Sequence, residues 1–168
     1  MSNSYVFFRF NDKDVISKDN TDDVLASYTL EIFSPSLRRL KRHHSSRIIY
    51  LFWFFITRGR YKIVYISDGN VIIHYTHILP KFFKLPFMSS KDLMIGPAWT
   101  KESYRGKGIF PAVITYIVKN FKKAGRSFHI FAHADNAASQ KAIEKAEFYK
   151  WATGYKTKKF GIYKAEEK

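Results

Sequence analysis

The sequence predicts a mixed α/β (α+β) fold, a central and mostly antiparallel sheet flanked by helices. Three observations predict it. Strand-like and helix-like segments alternate along the chain. Two Val-, Ile- and Tyr-rich runs, Tyr61 to Ile66 and Val71 to Leu79, flank Ser67-Asp68-Gly69-Asn70, and an Asp-Gly pair suits a hairpin turn with positive φ. A further strand, Asp92 to Thr100, is followed by a glycine-containing turn and an amphipathic helix.

The elements follow in order. Tyr5 to Phe10 reads as a strand. Asp22 to Phe33 carries Val24, Leu25, Tyr28 and Ile32 at helical spacing, and Ser34-Pro35-Ser36 ends it. Ser45-Ser46 caps a second predicted helix from about Arg47 to Ile56, interrupted at Gly59. After the hairpin, Pro80, Pro86 and the aromatics of Lys81 to Met88 form a loop. The strand at Asp92 to Thr100 is expected to bend or bulge at Gly96-Pro97. In the next helix Ile109, Val113, Ile117 and Phe121 recur every four positions. Pro111 suits its first turn, where a missing N–H costs nothing, and Gly125 marks its stop. Ser127 to His133 alternates, with Phe128, Ile130 and Ala132 on one face and His129, Phe131 and His133 on the other. Asn136 caps a helix over Ala137 to Ala146. Two strands, Phe148 to Tyr155 and Lys159 to Tyr163, complete the pattern. With no internal repeat and no low-complexity linker, residues 1–168 are expected to form one domain.

Composition narrows the function. Hydrophobic residues at 46% and charged residues at 26% exclude a disordered chain. The absence of cysteine removes disulfides, thiolate nucleophiles and Cys-ligated zinc, so no metal is expected, and it fits a reducing, cytoplasmic setting. Lys and Arg number 29 against 14 Asp and Glu, a net charge of +15, which favours an anionic ligand. The N-terminal residues lack the basic stretch and long apolar core of a signal peptide. The longest apolar run, Ile48 to Ile56, falls short of the ~20 residues that a spanning helix needs. It is flanked by Arg47 and Arg58, with Arg38, Arg39, Lys41 and Arg42 upstream. A membrane-surface segment has that pattern, so peripheral membrane contact stays open, but a buried core helix or strand is the expectation.

The turn Tyr104-Arg105-Gly106-Lys107-Gly108-Ile109-Phe110 is the chemically informative segment. A helix N-terminus offers free N–H donors and partial positive charge, glycines let backbone approach a ligand, and Arg105 and Lys107 add formal charge. The spacing is neither the Rossmann nor the P-loop pattern.

Residues 93–110 resemble the acyl-CoA-binding strand, turn and helix of the GNAT superfamily of N-acyltransferases, whose signature Q/R-x-x-G-x-G/A reads here Arg105-Gly106-Lys107-Gly108-Ile109-Phe110, with Phe at the usual small position. Asn136-Ala137-Ala138-Ser139 and Ala142-Ile143-Glu144-Lys145-Ala146-Glu147-Phe148 resemble the family's second motif, about 30 residues on. The likeness covers about Asp92 to Phe148 well and the hairpin loosely. It implies acetyl-CoA as co-substrate, held through Trp99 and Thr100 at the pantetheine arm, Arg105, Gly106, Lys107, Gly108, Ile109 and Phe110 at the pyrophosphate, and Asn136 and Ser139 on the other side. Many members carry a Tyr general acid where Ile143 stands, so a proton donor must come from water or Ser139, if one is needed. Glu147 replaces the usual Gly.

Acetyl transfer needs a neutral amine, so a histidine base or a water chain to one is expected. His133, at the end of a central strand, and His74, in a polar string with Tyr75 and Thr76, are the candidates; His43 and His44 read as surface and His77 and His129 as other strand positions. The Ile95-Gly96-Pro97 and Thr100 pattern, with His74-Tyr75-Thr76 and the Phe-rich loop, is similar to GNAT proteins of bacterial surface-polysaccharide synthesis, which implies a nucleotide-linked amino sugar as acceptor, its sugar face covered by Phe82, Phe83, Phe87 and Trp99. Two alternatives stand beside this. A basic nucleic-acid-binding module fits the charge and aromatics but has no accompanying motif. An acyltransferase fold that is inactive and binds a partner fits Ile143.

Overall fold

The computed structural model describes residues 4–17, 19, 21–36 and 47–167. His43, His44, the Ser45-Ser46 cap and the basic residues Arg38, Arg39, Lys41 and Arg42 lie outside the described residues. Eight strands form one sheet: β1 (Ser4–Phe10), β2 (Thr29–Phe33), β3 (Lys62–Asp68), β4 (Val71–Pro80), β5 (Leu93–Thr100), β6 (Phe128–His133), β7 (Tyr149–Lys156) and β8 (Tyr163–Glu167). Among the described residues four α-helices accompany them: α1 (Thr21–Leu25), α2 (Arg47–Thr57), α3 (Ile109–Phe121) and α4 (Ala137–Lys145). The strand order is β2-β3-β4-β5-β6-β1-β7-β8, and every neighbouring pair is antiparallel except β5 with β6.

The sheet has two buried faces because its strands alternate, and the sequence assigns the sides. Val6, Phe8 and Phe10 of β1 and Phe128, Ile130 and Ala132 of β6 face one core with Ile109, Val113, Ile114, Ile117 and Val118 of α3 and Ile143 of α4. The four-residue apolar repeat of α3 is therefore the stripe that buries it. The other face carries Ile63 and Tyr65 of β3, Leu79 and Met94, covered by Tyr50 and Trp53 of α2 and by Leu85 and Met88 of the 81–92 loop.

One predicted element is corrected. The helix expected over Asp22 to Phe33 is a single turn, α1, followed by strand β2, whose residues Thr29 to Phe33 pair with Ser67 to Ile63 of β3. A ladder with a buried neighbour outweighs a helical spacing that four residues suggested. The last strand also begins later than expected, at Tyr163, after a turn at 158–162. The hairpin, the bend at Gly96-Pro97 and the Asn136 cap are as predicted: three steps along β5, Ile95 to Ala98, oppose two along β4, Thr76 to Ile78, and Asn136 Oδ1 accepts from Ser139 N–H at 3.0 Å. The nine-residue apolar run is half a core element. Tyr50 is buried, but Phe52 and Phe55 face outward.

Candidate functional site

The site arises where the two parallel strands part. β5 and β6 pair only at Leu93 with Phe128 and Met94 with His129. Beyond Met94, the Gly96-Pro97 bulge carries β5 along β4 up to Thr100 opposite His74, while β6 continues beside β1. Asp92 clamps the closed end of this wedge. Its carboxylate accepts from Ser127 N–H at 3.0 Å and Ser89 N–H at 2.7 Å, and His129 Nε2 lies 3.2 Å from it. Burial opposes its ionisation, but the N–H groups of Ser127 and Ser89 outweigh that and hold its carboxyl below the ordinary range. Burial likewise lowers the pKa of His129, which pairs with Asp92 as a neutral donor.

The wedge opens into a cavity of about 950 Å³. One wall is the turn before α3, with Tyr104, Arg105, Gly106, Gly108, Ile109 and Phe110, and with Asn136, Ser139 and Ile143 opposite. Gly106 and Gly108 hold φ of 76° and 77°, in the left-handed region that side chains disfavour. Gly108 is the N-cap of α3 and has no side chain to satisfy the first turn, so the N–H groups of Ile109 and Phe110 point out of the helix end without intrahelical acceptors. Arg105 Nε donates to Thr100 O at 3.2 Å, and Tyr104 donates its hydroxyl to Asp68 at 2.8 Å, which ties the turn to the hairpin tip.

The opposite mouth is aromatic and cationic. Trp53, Phe82, Phe83, Tyr5, Phe131 and Tyr163 line it with Lys84 and Lys156. Tyr163 reaches Tyr5, with ring centroids 5.3 Å apart, because β7 and β8 approach closely at Gly154: a Cβ there would lie 1.9 Å from Lys164 O. Burial raises the pKa values of Tyr5 and Tyr163, so both phenols stay protonated.

The cavity brings together most of the residues expected from sequence: Trp99, Thr100, Arg105, Gly106, Gly108, Ile109, Phe110, Asn136, Ser139 and His133. His133 is exposed and its ring lies 4.4 Å from that of Tyr5. Lys107 is not on the wall; its Nζ sits over the Tyr104 ring at 4.6 Å. Nor is His74. It is wholly buried, with Nδ1 2.8 Å from Thr100 Oγ1 and Nε2 2.6 Å from Thr76 Oγ1, and burial lowers its pKa to about 3. Phe87 packs on Phe7 and Trp151 away from the mouth, whereas Phe82, Phe83 and Trp99 line the cavity. Tyr5 and Tyr163 carry no motif in the sequence, and the insertion of β1 between β6 and β7 brings Tyr5 to the wedge. Among the described residues no group of three His, Cys, Asp or Glu side chains is arranged to hold a metal, and no helix is long and apolar enough to cross a membrane.

No protein-family model matches the chain, and no curated protein matches it. Solved structures do. An acetyltransferase of the GNAT family from Colwellia psychrerythraea is 15% identical with a TM-score of 0.56, over 89% of this chain and 53% of that one. A GCN5-related N-acetyltransferase from Sphaerobacter thermophilus is 12% identical with a TM-score of 0.60, over 89% and 49%. A tandem GNAT protein from the clavulanic acid biosynthesis pathway is 13% identical with a TM-score of 0.58, over 89% and 52%. The chain thus spans about half the length of the structures it matches. The fold of this protein, a mixed sheet parted between β5 and β6 and flanked by helices, is that of the GNAT-family acetyltransferases.

Proposed function

We propose that the chain is an acyl-CoA-dependent N-acetyltransferase, moving an acetyl group from acetyl-CoA to a primary amine on a nucleotide-linked amino sugar. One observation carries the reading: a single cavity joins an anion-receptive turn on one side of the parted strands to an aromatic, cationic mouth on the other. The residues fit the co-substrate. Gly106 and Gly108 leave their surroundings open, since a Cβ at Gly106 would meet nothing within 4 Å and one at Gly108 only Val24 at 3.7 Å. The free N–H groups at the start of α3, with Arg105, would hold the pyrophosphate. The backbone of Trp99 and Thr100, turned out of the ladder with β6, would hold the pantetheine arm. Bound there, acetyl-CoA would supply a thioester: a C–N bond to the amine would form at its acyl carbon as the C–S bond breaks, and CoA would leave as a thiolate that takes up a proton.

The chain's own residues do the rest. His133 sits on the cavity wall at the open end of β6, where it can take the amine proton directly or through water. Ile143, on the opposite wall, cannot donate a proton; the protonated phenols of Tyr5 and Tyr163 and the Ser139 hydroxyl are the donors the cavity offers. Phe82, Phe83 and Trp53 give flat apolar faces for a sugar, and Lys84 and Lys156 give charge for phosphates.

The test is calorimetric binding of acetyl-CoA, followed by release of free CoA with a panel of amino sugars and their nucleotide-linked forms. Acetyl-CoA binding with amine-dependent CoA release supports the proposal. Binding without release on any amine indicates the inactive, partner-binding reading that Ile143 favours. No acetyl-CoA binding, with tight binding of single-stranded RNA or DNA, overturns it.

A further inference from the structure

The outward face of α2 enters the candidate site only through Phe52, which lines the cavity mouth. Phe52, Phe55 and Ile56 are 53%, 67% and 36% exposed, at the spacing of one helix face, while Tyr50 and Thr57 turn inward. Helices of globular proteins are ordinarily polar on the outward side, and a helix apolar all round belongs in a core or against lipid. Phe83, 59% exposed on the neighbouring loop, joins this face through Phe82, which packs edge-on against both Trp53 and Phe83. The surface around it is cationic: Arg58, Arg60 and Lys81 are exposed, and Lys84 lies over the Phe83 ring at 5.6 Å. In the sequence, no Asp or Glu occurs from Ile32 to Ser67, whereas eight Lys or Arg do. A lone apolar patch would suit a second protein. An aromatic helix face inside an acid-free, basic stretch of a chain with net charge +15 suits a surface that is apolar inside and anionic outside.

We infer that the outward face of α2 docks on an anionic phospholipid surface, with Phe52, Phe55 and Ile56 in the interfacial layer and Arg58, Arg60 and Lys81 on headgroup phosphates. Phe52, Phe83 and Lys84 also line the aromatic mouth of the cavity, so docking turns that mouth toward the headgroups. The inference does not depend on which amine is acetylated.

The experiment is co-sedimentation of the full chain with vesicles of phosphatidylcholine alone and of phosphatidylcholine with phosphatidylglycerol, at low and high salt. The expected result is binding to the anionic vesicles that weakens with salt. Phe52→Ser with Phe55→Ser should lower partitioning about tenfold or more, since two buried rings are removed. If the double variant is unfolded by thermal melt, Phe55→Trp is used with brominated lipid: the fluorescence that this substitution adds to that of the native chain should be quenched. Three results overturn the inference: no binding to anionic vesicles; binding unchanged in the folded double variant, which leaves charge alone; or a native dimer that the double substitution dissociates and that ignores vesicles, which makes a second copy the occupant. In the brominated-lipid arm, absence of quenching overturns it.

Discussion

The Nδ1 atom of His74 lies 2.8 Å from Thr100 Oγ1, at the last residue of the strand that borders the cavity. Its Nε2 meets Thr76 Oγ1 at 2.6 Å, so a neutral ring donates to one hydroxyl and accepts from the other. Both nitrogens are engaged and burial lowers its pKa to about 3, so we propose that His74 orients Thr100 and does not act as the base. His74→Ala should destabilise the fold by about 2–4 kcal/mol, from a buried cavity and the unpaired Thr76 hydroxyl. Urea denaturation checks this. The residual activity should keep the acid limb of the native pH–rate profile.

The same burial gives a pH dependence of stability. Burial lowers His74 to about 3 and His77 to about 4, against an ordinary 6.5. Between those values and 6.5 the unfolded chain binds protons that the folded chain excludes, so stability falls as pH drops through that window. Above 6.5 these two groups contribute no slope. Each should give about 1.4 kcal/mol per pH unit once below the unfolded value. Denaturation midpoints from pH 7.5 down to 4.5 test it, and a flat profile would contradict the buried neutral state.

Gly108→Val should weaken acetyl-CoA at least tenfold. A Cβ there meets only Val24 at 3.7 Å, so the protein itself has room for it. What it lacks is a comfortable φ, held at 77°, and clearance for a phosphate against the backbone. The loss should therefore appear in calorimetric affinity beyond what the melting temperature explains. Undiminished affinity removes the pyrophosphate from this turn.

Asp92 closes the wedge from which the cavity opens, and Asp92→Ala removes an acceptor from Ser89, Ser127 and His129 together. The expected cost is about 1–3 kcal/mol, from two N–H groups and a neutral imidazole left without their charged acceptor. Asp92→Asn should cost less, because it keeps one oxygen. The order of the two midpoints is the check.

The legible parts of this molecule are those whose cause is local. Asp68-Gly69 makes a turn, Asn136 caps a helix, and Gly106 and Gly108 can take positive φ with no side-chain penalty. Ten of the twelve site residues expected from sequence accordingly line one cavity. The illegible parts depend on partners far along the chain. Thr29 to Phe33 is a strand because β3 is there to pair with it. Tyr5 belongs to the mouth because β1 enters between β6 and β7, a choice made by the whole sheet. Lys107 and Arg105 are near neighbours in a basic turn, and only the fold turns one toward the cavity and the other over Tyr104. Glu147, standing where the resemblance has Gly, holds φ of 64° and its carboxylate accepts from Ser17 N–H at 2.7 Å, an anchor that no local pattern announces.

In the proposed reaction His133 is the base. It is exposed at the open end of β6, lines the cavity and packs at a tilt against Tyr5, 4.4 Å between rings. If it takes the amine proton, His133→Gln should lower kcat/KM by roughly 10²–10⁴-fold and change the acid limb of the pH–rate profile. Gln keeps hydrogen bonding and bulk, and the exposed position makes a stability effect small. Tyr5→Phe separates two roles of its neighbour. A phenol that gives up its proton in the reaction lowers kcat when removed, whereas one that only orients His133 shifts the pH limb. An amine acceptor of low pKa would need no base, and the acid limb would then follow the amine when one acceptor is exchanged for another. His133→Gln with native kcat/KM and an acid limb that moves with the acceptor therefore excludes His133 as the base and assigns the limb to the substrate.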